Sequence, residues 1–130
     1  MSVERFGSGG PWEELYGYSR VVRAGDLVLT AGCTSTVDGV VTGVGDAYAQ
    51  ARTALEIALA ALRRVGAEFA DVVRTRIYIT DRANADAVGR AHGEIFGAVR
   101  PAATMIIVAG LLHPDMLVEF DVEAYAPARF

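Results

Sequence analysis

Near the carboxyl end of the chain three carboxylates recur at every second position, Glu119, Asp121 and Glu123, with Val118, Phe120, Val122 and Ala124 on either side of them. That alternation is the period of a β-strand, so the acids share one face and the apolar residues the other. Acids in a row on a sheet face repel one another unless cations lie opposite, and Arg74 with Arg76, two apart on a strand of their own, are placed to supply them. A solvated or salt-bridged face is therefore the ordinary reading of Asp121 and Glu123. Cys33 follows a glycine at the end of a strand, but a thiolate nucleophile needs a base or cation beside it, and no histidine lies near in sequence. A buried, inert thiol is the better reading. His92 falls beside the apolar stripe of a helix and reads as a packing or surface residue, whereas His113 falls in a turn, where functional groups are often placed. One cysteine and two widely separated histidines do not make a zinc motif, so no metal is expected. The glycine clusters Gly7-Ser8-Gly9-Gly10 and Gly43-Val44-Gly45 do not form a strand–GxGxxG–helix unit, and Asp46 at the second would repel an anion.

The cations narrow the chemistry further. All twelve positive side chains are arginine. With no lysine there is no Schiff base, no pyridoxal phosphate anchor and no phosphate-loop amine, and no cofactor is called for. A formal charge of -4 gives nucleic acid no net attraction to the chain as a whole. Hydrophobic residues make up 52% of the 130, but 22 of them are alanine, and no run approaches the ~20 apolar residues of a membrane helix. The opening MSVERFGSGG lacks the apolar centre of a secretory signal, so a cytoplasmic location is the default expectation.

These residues must be positioned by one domain spanning 1–130, the length suiting a single core. Residues 1–17 read as an irregular segment. Ser19–Arg23 and Asp26–Ala31 read as an antiparallel hairpin turning at Gly25-Asp26, and short strands flank Asp38-Gly39. Asp46 caps a helix running to about Val65, with Gly66 as its stop. Asp71–Thr80 alternates as a strand, with Val73, Thr75, Ile77 and Ile79 on one side. A second helix follows from Ala85 to about Phe96, capped by Asp81 or Asn84 and burying Val88, Ala91 and Ile95. Thr104–Ala109 is an apolar run of strand length, and Leu117–Tyr125 is the last long strand. An α+β fold follows, a sheet covered by two helices on one face.

In this order and spacing, Tyr18, then Asp26-Leu27-Val28-Leu29-Thr30-Ala31-Gly32, Gln50-Ala51-Arg52, the run Asp71 to Asp81 (DVVRTRIYITD), Pro101-Ala102 and Val118-Glu119 resemble the RidA (YjgF/YER057c/UK114) family over nearly the whole chain from Tyr18. The resemblance implies a chorismate-mutase-like α+β fold and a homotrimer with a barrel core and small-molecule clefts between subunits. Deaminating members hydrolyse reactive enamines and imines. In them an arginine of a Pro-Ala-Arg signature holds the substrate carboxylate with two parallel N–H bonds, and a glutamate on the last strand orients the attacking water. By position, Glu119 matches that glutamate, Gly32 the glycine whose backbone lines the cleft, and Tyr18 the cleft tyrosine.

The departures are as informative. Ala103 stands where the carboxylate-binding arginine belongs, Met105 where a cysteine is common, Gly89 where many deaminating members have asparagine, and Cys33 where a glutamine is usual. Removing one partner of such a desolvated charged pair commonly costs ~2 to 5 kcal/mol. The expected cleft is thus less cationic and more apolar, lined by Ala103, Met105, Cys33 and Ile107, with Glu119 as its main polar group. It suits a neutral or partly apolar substrate better than a 2-imino acid. Two readings follow. In the first, the chain is a hydrolase or deaminase of altered specificity using Glu119. In the second it is a non-catalytic trimer that binds a ligand or partner, with Glu119 paired to Arg74 or Arg76. Arg20 or Arg23 is placed to return a cation to the cleft from another strand. Endoribonuclease or translation-inhibitor activity, names sometimes attached to the family, has little physical basis in a lysine-free chain of charge -4.

Overall fold

The computed structural model describes residues 2–127. The elements in chain order are β1 (Val3–Phe6), α1 (Pro11–Tyr16), β2 (Val21–Ala24), β3 (Leu27–Thr30), β4 (Thr36–Val37), β5 (Val40–Val41), α2 (Ala47–Arg64), β6 (Val72–Ile79), α3 (Ala85–Phe96), β7 (Ala102–Ile107) and β8 (Val118–Tyr125). Six strands form a mixed sheet in the order β1-β2-β3-β8-β6-β7, while β4 and β5 make a separate hairpin. All neighbours in the sheet are antiparallel except β6 and β7, which run parallel and are joined through α3 as a parallel pair requires. Among the described residues no helix is long and apolar enough to cross a membrane.

Local chemistry explains the elements. Asp46 caps α2 by accepting from the Ala49 amide at 3.0 Å, and Gly66 ends it at φ 81°, the left-handed conformation a glycine adopts without Cβ cost. Turn residues Asp38 and Gly39 both have positive φ, as a two-residue hairpin needs. One face of β8 puts Val118, Phe120, Val122 and Ala124 into the core, and none of them is more than 1% exposed. Against them α2 sets Ala51, Ala54, Leu55, Ala58 and Leu62, so many of the alanines serve a closely packed helix–sheet seam. Gln50, fully buried, ties that seam to the approach of β8: its amide donates to the carbonyls of Gly43 and Asp115, and its oxygen accepts from the Leu117 amide at 2.9 Å.

Four expectations are corrected. The first seventeen residues are not irregular, since β1 pairs along β2 and Pro11 opens α1 at a position where its missing N–H costs nothing. A bulge between Val72 and Arg74 breaks the expected alternation of β6, burying Val72 and turning Val73 out to 50% exposure. Strand β7 begins at Ala102 rather than Thr104, because its partner β6 supplies hydrogen bonds that the small residues accept without any apolar signal. In α3 the side chain buried at the end is Phe96, stacked edge-on against Phe69, with Ile95 only partly covered.

Candidate functional site

Glu119 lies on the sheet face away from α2 and α3, in register with Tyr78 of β6. The pairing with Arg74 or Arg76 on which the second reading draws does not occur among the described residues. The Arg76 guanidinium instead reaches Asp121 at 3.4 Å and Glu123 at 3.0 Å, and the Tyr78 hydroxyl donates to Asp121 at 2.8 Å. Asp121 and Glu123 thus form the salt-bridged face foreseen for them. No hydrogen bond or ion pair joins Glu119 to another described residue at bonding distance. Burial pushes its carboxyl above the ordinary glutamate range, the neighbouring Asp121 charge adds to the rise, and Arg20 offsets it in part.

Gly32 decides where that carboxyl group sits. A Cβ on Gly32 would lie 2.8 Å from Glu119 Cδ and 3.2 Å from Cγ, with Oε2 nearer still. The absence of a side chain is what lets the carboxylate rest on the backbone there. Next to it Cys33 forms a bridge with Phe120, its amide donating to the Phe120 carbonyl at 2.6 Å, and its side chain is 1% exposed. Burial raises its thiol pKa, so Cys33 is the buried thiol read from the sequence, backing the site as a core residue, and it does not line an open cleft as the family position suggested.

Of the two arginines placed to return a cation, only Arg20 does so. Its guanidinium donates to the Gly32 carbonyl, lies 3.8 Å from Cys33 Sγ, 3.5 Å from Glu13 Oε2 and 5.9 Å from the centre of the Tyr18 ring. Arg23 turns away to the carbonyls of Val65 and Ala126. Glu13 and Ser8 were not foreseen. The Glu13 carboxylate accepts from the Ser8 amide at 2.8 Å and from the Ser8 hydroxyl. Burial alone would raise its pKa, but these bonds and Arg20 hold it below the usual range. Nothing in the run PWEELY marks Glu13 as different from Glu14; only the fold turns it inward.

Tyr18, Gly32, Cys33, Arg20 and Glu119 therefore come together, and the other expected residues do not join them. Ala103 and Met105 are in register with Thr75 and Ile77, on the helix-covered side, and Gly89 is in α3, whose His92 meets Thr75 at 2.8 Å. Within the single chain the two groups face opposite sides of the sheet. On the Glu119 side a shallow depression of about 120 Å³ is lined by Arg76, Ile77, Tyr78, Thr104 and Ile106. Glu119 is not among its walls.

The family model described as Endoribonuclease L-PSP matches residues 12–126. The chain belongs to this family. RidA and YjgF/YER057c/UK114 are other names for it, and the crystal structure of the family member Rv2704 from Mycobacterium tuberculosis superposes with a TM-score of 0.88 at 43% identity, covering 96% of this chain and 100% of that one. An uncharacterized Streptomyces coelicolor protein is 42% identical over 127 residues, 98% of this chain and 95% of its own. The 3-aminoacrylate deaminase RutC of Acinetobacter baylyi is 38% identical over 79 residues, 61% of this chain and 62% of its own. The α+β fold read from the elements, and its RidA-type form implied by the resemblance, are the fold observed.

Proposed function

We propose that the protein is a RidA-type hydrolase that deaminates an enamine or imine, with Glu119 positioning the attacking water. The observation carrying this is the Glu119 carboxylate, half-buried on the backbone of Gly32 with no partner at bonding distance among the described residues, a burial that pushes its carboxyl above the ordinary glutamate range. A carboxylate that the fold leaves unpaired in a partly dry place can accept a bond from water and take its proton as the C–N carbon is attacked. An enamine first takes a proton at its β-carbon and gives up one from nitrogen to become the imine; the water then adds across the C=N bond, and the resulting carbinolamine expels ammonia to leave the carbonyl product. The deaminase activity of the Acinetobacter relative supports the reaction class.

The substrate is neutral or only weakly anionic. Ala103 offers no fork for a carboxylate, and Arg20 has Glu13 as its counter-ion. A homotrimer supplies what one protomer lacks: the Glu119 face is completed by the Gly89, Ala103 and Met105 side of another copy, these lying on the opposite face of a single chain. Exposed Leu27, Leu29, Ile106 and Tyr125 on the sheet support such a contact, being 37–56% exposed in the single chain. Purified protein is tested against a panel of neutral enamines and imines beside 2-aminoacrylate, with Glu119→Gln in parallel. Turnover of neutral members that falls at least ~100-fold in the variant is the expected result. Equal rates in both proteins remove Glu119 from the mechanism. Binding without turnover supports the non-catalytic reading instead.

A further inference from the structure

Arg20 immediately precedes β2, and its side chain is 16% exposed. Both terminal nitrogens are committed, Nη1 to the Gly32 carbonyl and Nη2 toward Glu13, which Ser8 holds in turn. A guanidinium engaged in this way cannot offer the two parallel N–H groups that bind a ligand carboxylate. It does hold the carbonyl of the residue on whose α-carbon the Glu119 carboxylate rests.

We infer that Arg20 is a positioning residue of the Glu119 site: anchored by Glu13 and Ser8, it fixes the Gly32 peptide and presents a largely neutralised cation to Glu119 from behind. The chain Ser8, Glu13, Arg20, Gly32, Glu119 makes the amino-terminal segment part of the machinery. The inference deepens the hydrolase reading and rests on it for its purpose, though not for its test.

The charged and titratable groups around Glu119 are few. On β8 itself stands Asp121, and from β6 come Tyr78 and Arg76, both bonded to Asp121. Cys33 lies at the bridge to Phe120, and Arg20 approaches from the start of β2 with Glu13 behind it and the Tyr18 ring 5.9 Å from its guanidinium. Removing the Arg20 charge takes away the cation that opposes the rise in the Glu119 pKa, whereas removing the Glu13 charge leaves that cation uncompensated. The two changes move Glu119 in opposite directions. A role in packing alone would loosen the site in both variants and shift it the same way.

The test is an NMR titration of the full-length protein labelled with ¹³C at glutamate carboxyls, the Glu119 signal assigned by its loss in Glu119→Gln. Arg20→Gln is expected to raise the Glu119 midpoint, Glu13→Gln to lower it, and Arg20→Lys to bring it back toward wild type. Unchanged midpoints, or shifts of the same sign, overturn the inference. Should Arg20→Gln fail to fold, Glu13→Gln decides alone, and no downward shift overturns it. Turnover of a neutral enamine by Arg20→Gln and by Glu13→Gln is expected to lose at least ~10-fold in kcat with KM little changed, as for a misplaced base, and Arg20→Lys to recover most of that loss. If wild type turns nothing over, the hydrolase reading fails while the titration still decides the role of Arg20.

Discussion

Replacing Gly32 with alanine separates stability from chemistry at this site. The new Cβ would stand 2.8 Å from Glu119 Cδ. Ordinary carbon–carbon contact is about 3.5 to 4.0 Å, so the carboxyl group must retreat by roughly 1 Å. The retreat is cheap for the fold, because the obstructing atoms are the free end of a flexible side chain and Gly32 is not among the glycines with positive φ. A stability change below about 1 kcal/mol is expected, a melting shift of roughly 3 to 6 °C for a domain of this size. The chemistry is far less tolerant. A misplacement of 1 Å in a catalytic group commonly costs ~100-fold in rate. The assay pairs a thermal melt with initial rates on a neutral enamine that wild type turns over. A Gly32→Ala protein that melts normally and retains wild-type kcat would refute the claim that the carboxylate acts from its place on the Gly32 backbone.

Three further outcomes follow from the same geometry. Glu119 is protonated more readily in the folded than in the unfolded chain, so its contribution to stability is fullest below the ordinary glutamate pKa and falls as pH rises through the raised value. Glu119→Gln is therefore expected to melt higher than wild type at pH 7, and melts taken across pH should show the gain vanishing in acid. Ala103→Arg on exposed β7 should leave the melting temperature unchanged and improve kcat/KM for an anionic imine by at least ~30-fold, measured against a neutral analogue as control. Gln50→Ala removes three hydrogen bonds inside the α2–β8 seam, and a loss of roughly 2 to 4 kcal/mol in denaturant unfolding is expected, with the approach to Glu119 loosened as well.

The strands that matter most were readable because their periods are strong. β8 alternates without interruption, and that alone places Glu119 on the face away from the core, as found. The helix caps at Asp46 and Gly66 and the hairpin at Asp38-Gly39 were readable for the same reason: local chemistry dictates them. Features that depend on distant pairing were not. VERF becomes β1 because β2 lies beside it, and the bulge at Val73 leaves no mark on a run of β-branched residues. The contact of Gly32 with Glu119 joins strands far apart in sequence, so a family resemblance could point to both residues while no local period could bring them together. Arg20 and Arg23 are three apart, so a strand puts them on opposite faces, but only the pairing of β2 within the sheet decides that Arg20 is the one toward Gly32 and Arg23 the one toward Val65.

Glu119 on one side of the sheet and Ala103 with Met105 on the other would give a homotrimer of this chain a genetic signature. If each cleft takes one side from each of two neighbouring copies, a chain crippled at Glu119 still carries an intact opposite side. A chain crippled at Ala103, by a bulky Ala103→Trp for example, still carries an intact Glu119. Unfolded and reassembled together, the two inactive parents would regain working clefts at the junctions where their sound sides meet. Mixed in one cell they would complement, whereas two lesions on the same side never would.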